Sequence, residues 1–237
     1  MTASAPASTP TATFSFHDRL LAETRRERDD LIAIPIVQEA LAGRVRREDY
    51  IAFLAQAFHH VRHTVPLLMA CGARLPARLE WLRTAVGEYI EEEMGHHAWI
   101  LDDLAACGAD RDAVEHGTPS EATELMVAYA YDTIARGNPV GFFGMVLVLE
   151  GTSVALATRA AEALETSLGL PRSAFTYLRS HGDLDIEHVG FYETLMNRLD
   201  DEDDRRAVVH AAKRFYRLYG DVFRSLRDAP AALAEAA

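Results

Sequence analysis

The sequence predicts an all-α protein built as a multi-helix bundle. Nearly every segment places apolar residues three and four positions apart, and no segment alternates apolar and polar residues as a half-buried strand does. The chain has 237 residues, of which 49% are hydrophobic and 25% are charged, and no internal repeat or long linker divides it. We therefore expect about seven to nine helices packed in one domain.

The predicted helices follow one another with recognisable starts and stops. Ser120 and Asn138-Pro139 are suited to helix N-termini, and Gly182 is a candidate break. The predicted segments, in order, are Phe16–Leu31, Pro35 to near Gly43, Arg47–Ala70 with a kink at Pro66, Pro76–Gly108, Glu121–Gly137, Asn138 towards Leu168, Ser173–Leu199 and Asp203–Leu226.

The predicted domain covers residues 14–228. Residues 1–13 are rich in Ala, Ser, Thr and Pro and lack the basic and apolar regions of a secretory signal, so we expect a disordered tail. Residues 229–237 are rich in alanine, and we expect a second, flexible tail there.

Charge and cysteine content exclude several classes of protein. Lys and Arg total 24 against 36 Asp and Glu, a net charge of −12 that repels nucleic-acid phosphates. No uninterrupted apolar stretch approaches the ~20 residues of a membrane span. Cys71 and Cys107 form no C-x-x-C pair, and both follow apolar helical patterns and precede a glycine, which indicates buried or helix-end thiols. We expect a cytoplasmic protein that binds neither nucleic acid nor membrane.

Glu150 is the most informative single residue. It is the only charged residue from Val140 to Ala157, among glycine, apolar and hydroxyl side chains. A helix that is apolar on nearly all faces is buried, and a buried carboxylate must be protonated, paired or bound to a metal. Glu150 is therefore a candidate metal ligand, and the alternative is a buried pair with an arginine or a histidine.

His181, Asp185 and His188 form a second candidate group. Offsets of four and seven residues place the three side chains on one stripe of a helix. Two imidazoles and a carboxylate can supply three ligands of a metal site. The alternative is ordinary surface polarity near a helix end, because Gly182 follows His181.

A third group lies in the run EEEMGHH, which starts at Glu91. Glu93 and His96 form the carboxylate-x-x-His pair that carboxylate-bridged di-iron bundles use. Glu88 and Glu92 are rival carboxylates on the same predicted helix. For Glu91 a solvated acidic face is the simpler interpretation.

His59, His60 and His63 form a fourth group. His59 and His63 have a metal-binding spacing, but no acidic residue accompanies them between Ile51 and Ala70. Each is interpreted as a core histidine, a substrate-binding group or a residue that orients a ligand. His59 and His63 are the candidate catalytic residues, on a helix that we expect to line a pocket.

These groups together approach the plan of a di-iron helix bundle. In that plan two helices each supply a carboxylate-x-x-His pair and two others each supply a glutamate. Both pairs are present here and Glu150 is one of the two glutamates, while the fourth carboxylate is missing and His181 is an extra imidazole. Three carboxylates and three imidazoles suit two iron or manganese ions.

On these motifs the sequence resembles the haem-oxygenase-fold superfamily that contains TenA and PqqC, and most of all its branch of di-iron oxidases and oxygenases. The resemblance covers Phe14 to Leu226 in helix order and size. It implies a seven-helix orthogonal bundle and dioxygen activation between the helices. It also implies two irons held by Glu93, His96, Glu150, His181, Asp185 and His188.

One position departs from that family's pattern. Several members carry the first glutamate seven residues before the histidine, where this sequence has Tyr89. Gly95 can host a local bulge, so Glu88, Glu92 and Glu93 all remain candidates for the first ligand.

Other branches of the superfamily predict different residues. TenA hydrolases use a cysteine on the central helix, where this chain has Glu150 and no cysteine. Cofactor-free PqqC-like oxidases use His, Arg and Tyr around the substrate, and the helix with His59, His60, Arg62 and His63 keeps that option open. A haem-degrading enzyme would need a proximal histidine on the first helix, where His17 is the only candidate.

The resulting hypothesis is a metal-dependent oxidase or oxygenase, with two irons per chain, that acts with O₂ on a small, partly apolar substrate. We expect a pocket walled by Phe142, Phe143, Met145 and His59 or His63. A free amino acid, a fatty acid and a carrier-bound intermediate fit these residues equally well. The alternatives are a cofactor-independent PqqC-like oxidase and a metal-free, ligand-binding TenA-like protein, and a homodimer is expected by analogy.

Overall fold

The computed structural model describes residues 14–228, apart from the side chains of residues 181–188, so the two predicted tails lie outside the described residues. Regular structure in this range is helical, without a β-strand. The α-helices of this range are α1 Phe16–Glu23, α2 Arg25–Ile32, α3 Pro35–Leu41, α4 Arg47–Val61, α5 Thr64–Arg74, α6 Glu80–Glu93, α7 His96–Ala106, α8 Arg111–Glu115, α9 Glu121–Arg136, α10 Phe143–Leu168, α11 Thr176–Arg198 and α12 Glu202–Ser225. Single 3₁₀ turns precede three of them, at Ala77–Leu79, Pro139–Phe142 and Arg172–Ala174.

The all-α prediction is confirmed, although the described range holds twelve α-helices rather than seven to nine. Three predicted helices are each divided in two, and the sequence did not predict the five-residue α8. The first division falls at Thr24, whose hydroxyl donates to the Leu20 carbonyl. The second precedes Pro66, which has no N–H to donate to the Arg62 carbonyl, so a new helix starts with Pro66 in its first turn. The third falls at Gly95, where φ is +94°.

The predicted caps are confirmed. The Ser120 hydroxyl accepts from Thr123 N at the start of α9, and the Asn138 side chain accepts from Val140 N at the turn before α10. The candidate break at Gly182 is not found, because the α11 backbone is helical from Thr176 to Arg198.

α10 lies at the centre of the bundle and packs against α11 and α12. All its side chains from Phe143 to Val148 are buried. Pro139–Leu168 is the one described helical segment long and apolar enough to cross a membrane, and 56% of its most apolar window is buried inside the protein. A core helix of a helical bundle passes the same test of length and apolarity.

Candidate functional site

A cavity of about 170 Å³ lies inside the bundle, between α3, α4, α5, α6, α10, α11 and α12. Glu93 at the end of α6 and Glu150 on α10 both line it. Most of the other lining side chains are apolar. The tertiary structure therefore brings two of the predicted ligand carboxylates to the same interior space.

Glu93 and His96 meet across the break between two helices. Glu93 is the last residue of α6 and His96 is the first of α7, because Gly95 adopts a left-handed conformation between them. His96 Nδ1 lies 3.1 Å from Glu93 Oε2, and the two side chains are only 6% and 10% exposed. Trp99 stacks on the His96 ring with centroids 4.1 Å apart. The predicted carboxylate-x-x-His pair is thus formed at a helix junction and not along one helix.

Among the three rival glutamates, Glu93 is the one that lines the cavity. Glu88 and Glu92 have exposed side chains. Tyr89, which occupies the position where the resemblance expects a glutamate, is buried and lines the cavity as well. Because the chain breaks at Gly95, the glutamate that lies beside His96 is Glu93.

Glu150 lies close to two buried tyrosines. Burial and then the Glu150 carboxylate raise the pKa of the Tyr89 and Tyr192 hydroxyl groups. Tyr192 donates to the Phe143 carbonyl across 2.8 Å and so ties α11 to α10. Glu150 itself is half-buried, because α10 is partly exposed from Leu149 onward, after the buried stretch Phe143–Val148.

Three predicted ligands belong to α11 and lie outside the described side chains: His181, Asp185 and His188. The course of α11 is nevertheless described. It runs antiparallel to α10, because Tyr192 bonds to Phe143 at the start of α10 and Arg179 pairs with Glu165 near its end. The backbone of residues 181–188 lies between these two contacts, along the part of α10 that carries Glu150.

The described donors suit a metal ion but do not form a complete site on their own. Among the described side chains, no three histidine, cysteine or carboxylate groups converge closely enough to hold an ion. Two ligands that each lie about 2.1 Å from one ion, at a right angle, are about 3.0 Å apart. Glu93 Oε2 and His96 Nδ1 are 3.1 Å apart. Carboxylate oxygen and imidazole nitrogen are donors that iron and manganese accept.

His60 is the α4 histidine that lines the cavity. It is buried and makes an edge contact with the Tyr219 ring of α12, with centroids 5.8 Å apart. The sequence interpretation favoured its neighbours, although Asp49, Phe53 and His60 share one face at offsets of four and eleven. That spacing is the signal by which His60 could have been found.

His59 and His63 do not line the cavity. His59 is buried against the Phe58 ring, and His63 Nδ1 lies 3.1 Å from the Tyr131 hydroxyl. Burial, and then the neighbouring Arg62 guanidinium, lower the pKa of both imidazoles. Both are therefore neutral at pH 7, and their assignment as catalytic residues stays a prediction.

The predicted pocket walls are found in part. Phe142 and Met145 line the cavity, whereas Phe143 does not. Phe143 is fully buried on another face of α10, beside Tyr192.

The groups that the alternative hypotheses need lie elsewhere. Cys71 and Cys107 are buried free thiols, as predicted, and burial raises the pKa of each to about 12. His17 is buried against the Tyr192 ring and does not line the cavity. Neither a cysteine nucleophile on α10 nor a cavity-facing histidine on α1 is found among these described residues.

The helical architecture around this cavity defines a haem-oxygenase-like fold. A domain of unknown function with this fold from Shewanella denitrificans OS217 has a TM-score of 0.79 and 22% identity, over 89% of this chain and 91% of that one. A TenA homologue from Pseudomonas syringae pv. tomato DC3000 has a TM-score of 0.76 and 9% identity, over 94% and 98%. Haem oxygenase-1 from Synechocystis sp. PCC 6803, in complex with haem, has a TM-score of 0.71 and 12% identity, over 90% and 93%. Identities this low show the fold alone.

Residues 51–220 match the family described as iron-containing redox enzymes, and the chain belongs to this family. No curated protein matches the sequence. The resemblance drawn from the sequence motifs is therefore confirmed at the level of the family and the fold.

Proposed function

We propose that the chain is a metal-dependent oxidase or oxygenase that holds two iron ions and acts with dioxygen on a small, partly apolar substrate. The observation that carries this proposal is the buried pair of Glu93 and His96, whose donor atoms are 3.1 Å apart beside a cavity that Glu150 also lines. Membership of the iron-containing redox enzymes supports iron as the metal, and manganese is the alternative.

Six side chains would hold the two ions: Glu93, His96, Glu150, His181, Asp185 and His188. The carboxylates are anionic donors that balance the charge of the metal, and the imidazoles are neutral donors. The antiparallel course of α10 and α11 supports this set, because Glu150 and residues 181–188 belong to adjacent stretches of the two helices. When bound, the iron would supply the activation of dioxygen.

The surrounding residues would orient these donors and keep water out. Trp99 restrains the His96 ring by stacking on it. The Tyr89 hydroxyl stays protonated at neutral pH, because burial and Glu150 raise its pKa, and a protonated hydroxyl can donate a hydrogen bond at the cavity wall. Apolar lining residues such as Met145 and Leu149 exclude water, which strengthens electrostatic interactions at the site.

Metal analysis of the full-length chain, produced with added ferrous iron, tests the proposal. We expect about two irons per chain and oxygen consumption that depends on iron. Glu150→Gln should lower the iron content while the far-UV circular dichroism is unchanged, and Glu162→Gln, exposed on the same helix, is the matched control. Iron at trace level in the wild-type chain, or full iron occupancy in Glu150→Gln, would overturn the proposal.

The same experiment separates the alternative functions. Oxygen consumption that survives chelation of all metal would indicate a cofactor-independent oxidase. A chain that neither binds iron nor consumes oxygen, but retains a small molecule, would indicate a metal-free binding protein.

A further inference from the structure

We infer that Asp103 is a positioning residue of the candidate metal site: its side chain fixes the position of α11 along α7 and so holds the backbone of residues 181–188 beside His96. Asp103 lies on α7, two helical turns after His96, and its carboxylate binds the first turn of α11. The inference rests on the proposed function for the identity of the metal ligands. It concerns the helix packing that brings those ligands together.

The first turn of α11 is capped from another helix. Phe175 occupies the N-cap position, and its side chain makes no capping hydrogen bond. The backbone amides of Thr176 and Tyr177 instead donate to the two oxygens of the Asp103 carboxylate, at 3.0 and 2.8 Å. Asp103 is completely buried, and hydrogen bonds to a carboxylate are shorter and stronger than those between neutral groups. The contact that usually comes from a neighbouring serine or asparagine therefore comes from α7.

The turn before α11 is held from a second side. The Tyr50 hydroxyl on α4 donates to the Ala174 carbonyl at 2.7 Å, and the Tyr50 ring stacks on Phe175 with centroids 5.1 Å apart. Tyr50 and Phe175 are both buried. The point at which α11 begins is thus fixed by α4 and α7 together, and Asp103 is the contact that comes from the helix carrying His96.

The chain from α6 to α7 runs along α11 in the opposite direction. Near the end of α6, the Tyr89 ring lies against the Phe191 ring of α11, with centroids 5.4 Å apart. Fourteen residues later, Asp103 binds Tyr177, which itself lies fourteen residues before Phe191. The two contacts therefore enclose two neighbouring stretches of equal length, one in α6 and α7 and the other in α11.

The proposed ligands lie in the middle of these two stretches. His96 is seven residues from either end of the first stretch, and the midpoint of the second is residue 184, within residues 181–188. A slip of α11 by one residue would displace its backbone by ~1.5 Å relative to His96. A metal site tolerates displacements of only about 0.5 Å in its ligands. The position of α11 along α7 therefore determines whether the two stretches can share an ion.

Iron affinity and the spectrum of bound cobalt test the inference in the full-length chain. Asp103→Ala removes both acceptor oxygens and should lower iron affinity about ten- to hundredfold, as measured by competition with a chelator. The visible absorption of Co²⁺ bound in place of iron should also change, because it reports the geometry of the ligands. Asp103→Asn retains one acceptor oxygen and should have an intermediate affinity, and it replaces the alanine variant if that variant does not fold.

Asp204→Ala is the matched control for lost stability. Asp204 is also a completely buried carboxylate, but it lies on α12, where it pairs with Arg78 and accepts from the Asn138 side chain. Its loss should destabilise the fold and leave iron affinity and the cobalt spectrum as in the wild type, under conditions where every variant is folded. Equal effects of Asp103→Ala and Asp204→Ala on iron affinity and the spectrum would overturn the inference.

A distance measured in the metal-free chain separates this inference from the proposed function. Nitroxide labels on Ala98→Cys of α7 and Glu193→Cys of α11, two exposed positions, give the distance between the helices by pulsed electron paramagnetic resonance. The two native cysteines are buried and should stay unlabelled. Asp103→Ala should shift or broaden this distance, whereas Asp204→Ala should not.

The two proposals then fail separately. An unchanged distance in Asp103→Ala, or a changed distance with unchanged iron affinity, would overturn the inference. A distance that changes with Asp103→Ala in a chain that never binds iron would overturn the proposed function and leave Asp103 as the residue that sets the position of α11.

Discussion

His96 Nδ1 lies 3.1 Å from Glu93 Oε2 although the two residues belong to different helices. The left-handed Gly95 between them ends α6 and lets α7 start in a new direction. The pair is buried, and its Glu93 member lines the same cavity as Glu150. The geometry of the candidate site therefore depends on a single backbone conformation.

Gly95→Ala should destabilise the protein by about 1–2 kcal/mol, because an L side chain is strained at a φ of +94° even though no described atom would lie within 4 Å of its Cβ. Gly87→Ala, at an equally open position within α6, should instead stabilise by about 0.5–1 kcal/mol. Urea unfolding of both variants measures the difference. Equal losses at the two positions would contradict the role of the left-handed conformation.

Glu93→Gln should lower iron affinity at least about tenfold, because an amide is a weaker ligand and a weaker hydrogen-bond acceptor than a carboxylate. Glu91→Gln, exposed at the end of the same helix, should leave iron affinity unchanged. Competition with a chelator of known affinity measures the iron affinity of each variant. A loss of affinity in Glu92→Gln but not in Glu93→Gln would move the first ligand to Glu92.

Asp103 should make the stability depend on pH. Its buried carboxylate accepts from Thr176 N at 3.0 Å and Tyr177 N at 2.8 Å, and burial raises its pKa to about 6 from the ordinary 3.8 in spite of these bonds. The folded chain therefore binds this proton more tightly than the unfolded chain does. The stabilisation by protonation is fully present below pH 3.8 and is lost as the pH rises through about 6.

Asp103→Asn removes this titration, so the stability difference between wild type and variant should change by on the order of 3 kcal/mol across that interval. Urea unfolding of both proteins at several pH values measures the difference. The other titratable groups contribute equally to both proteins, so their contributions cancel. A stability difference between wild type and variant that does not vary with pH would show that burial does not raise the pKa of the Asp103 carboxyl group.

Gly144→Ala should destabilise the protein by at least about 2 kcal/mol, because α10 and α12 are in backbone contact there. A Cβ at this position would lie 2.5 Å from Ala212 N and 2.8 Å from Val208 O, and neither atom can move without shifting α12. Gly151→Ala, on the same helix with no described atom within 4 Å of its Cβ, is the control and should stabilise by about 0.5–1 kcal/mol. Thermal unfolding distinguishes them, and a neutral Gly144→Ala would show that the two helices can separate at little cost.

Helix positions were largely predictable from the sequence, because their signals are local. The Ser120 cap and the Asn138-Pro139 start depend on hydrogen bonds within a few residues, and the apolar period shows which face is buried. The break at Thr24 was not predicted, and Gly95 was expected to host only a local bulge within one helix. A helical pattern that continues across such a residue looks the same whether or not the chain turns there.

Parts of the candidate site were also visible in the sequence. Glu150 is a lone carboxylate in an apolar helix, and this pattern indicates a candidate ligand. The spacing of Glu93 and His96 indicates a pair of metal ligands. Both patterns are unusual among residues whose role is limited to core packing. The family resemblance followed from these motifs together with the α11 triplet.

The sequence by itself thus determined the helical class, most helix boundaries and the residue types available for metal binding. The tertiary structure alone decided that Glu93, and not Glu88 or Glu92, lies beside the cavity, and that His60 lines it in place of His59 and His63. The physical reason is that the direction of a side chain depends on helix breaks and on how distant helices pack, and these long-range contacts leave no periodic signal in the sequence.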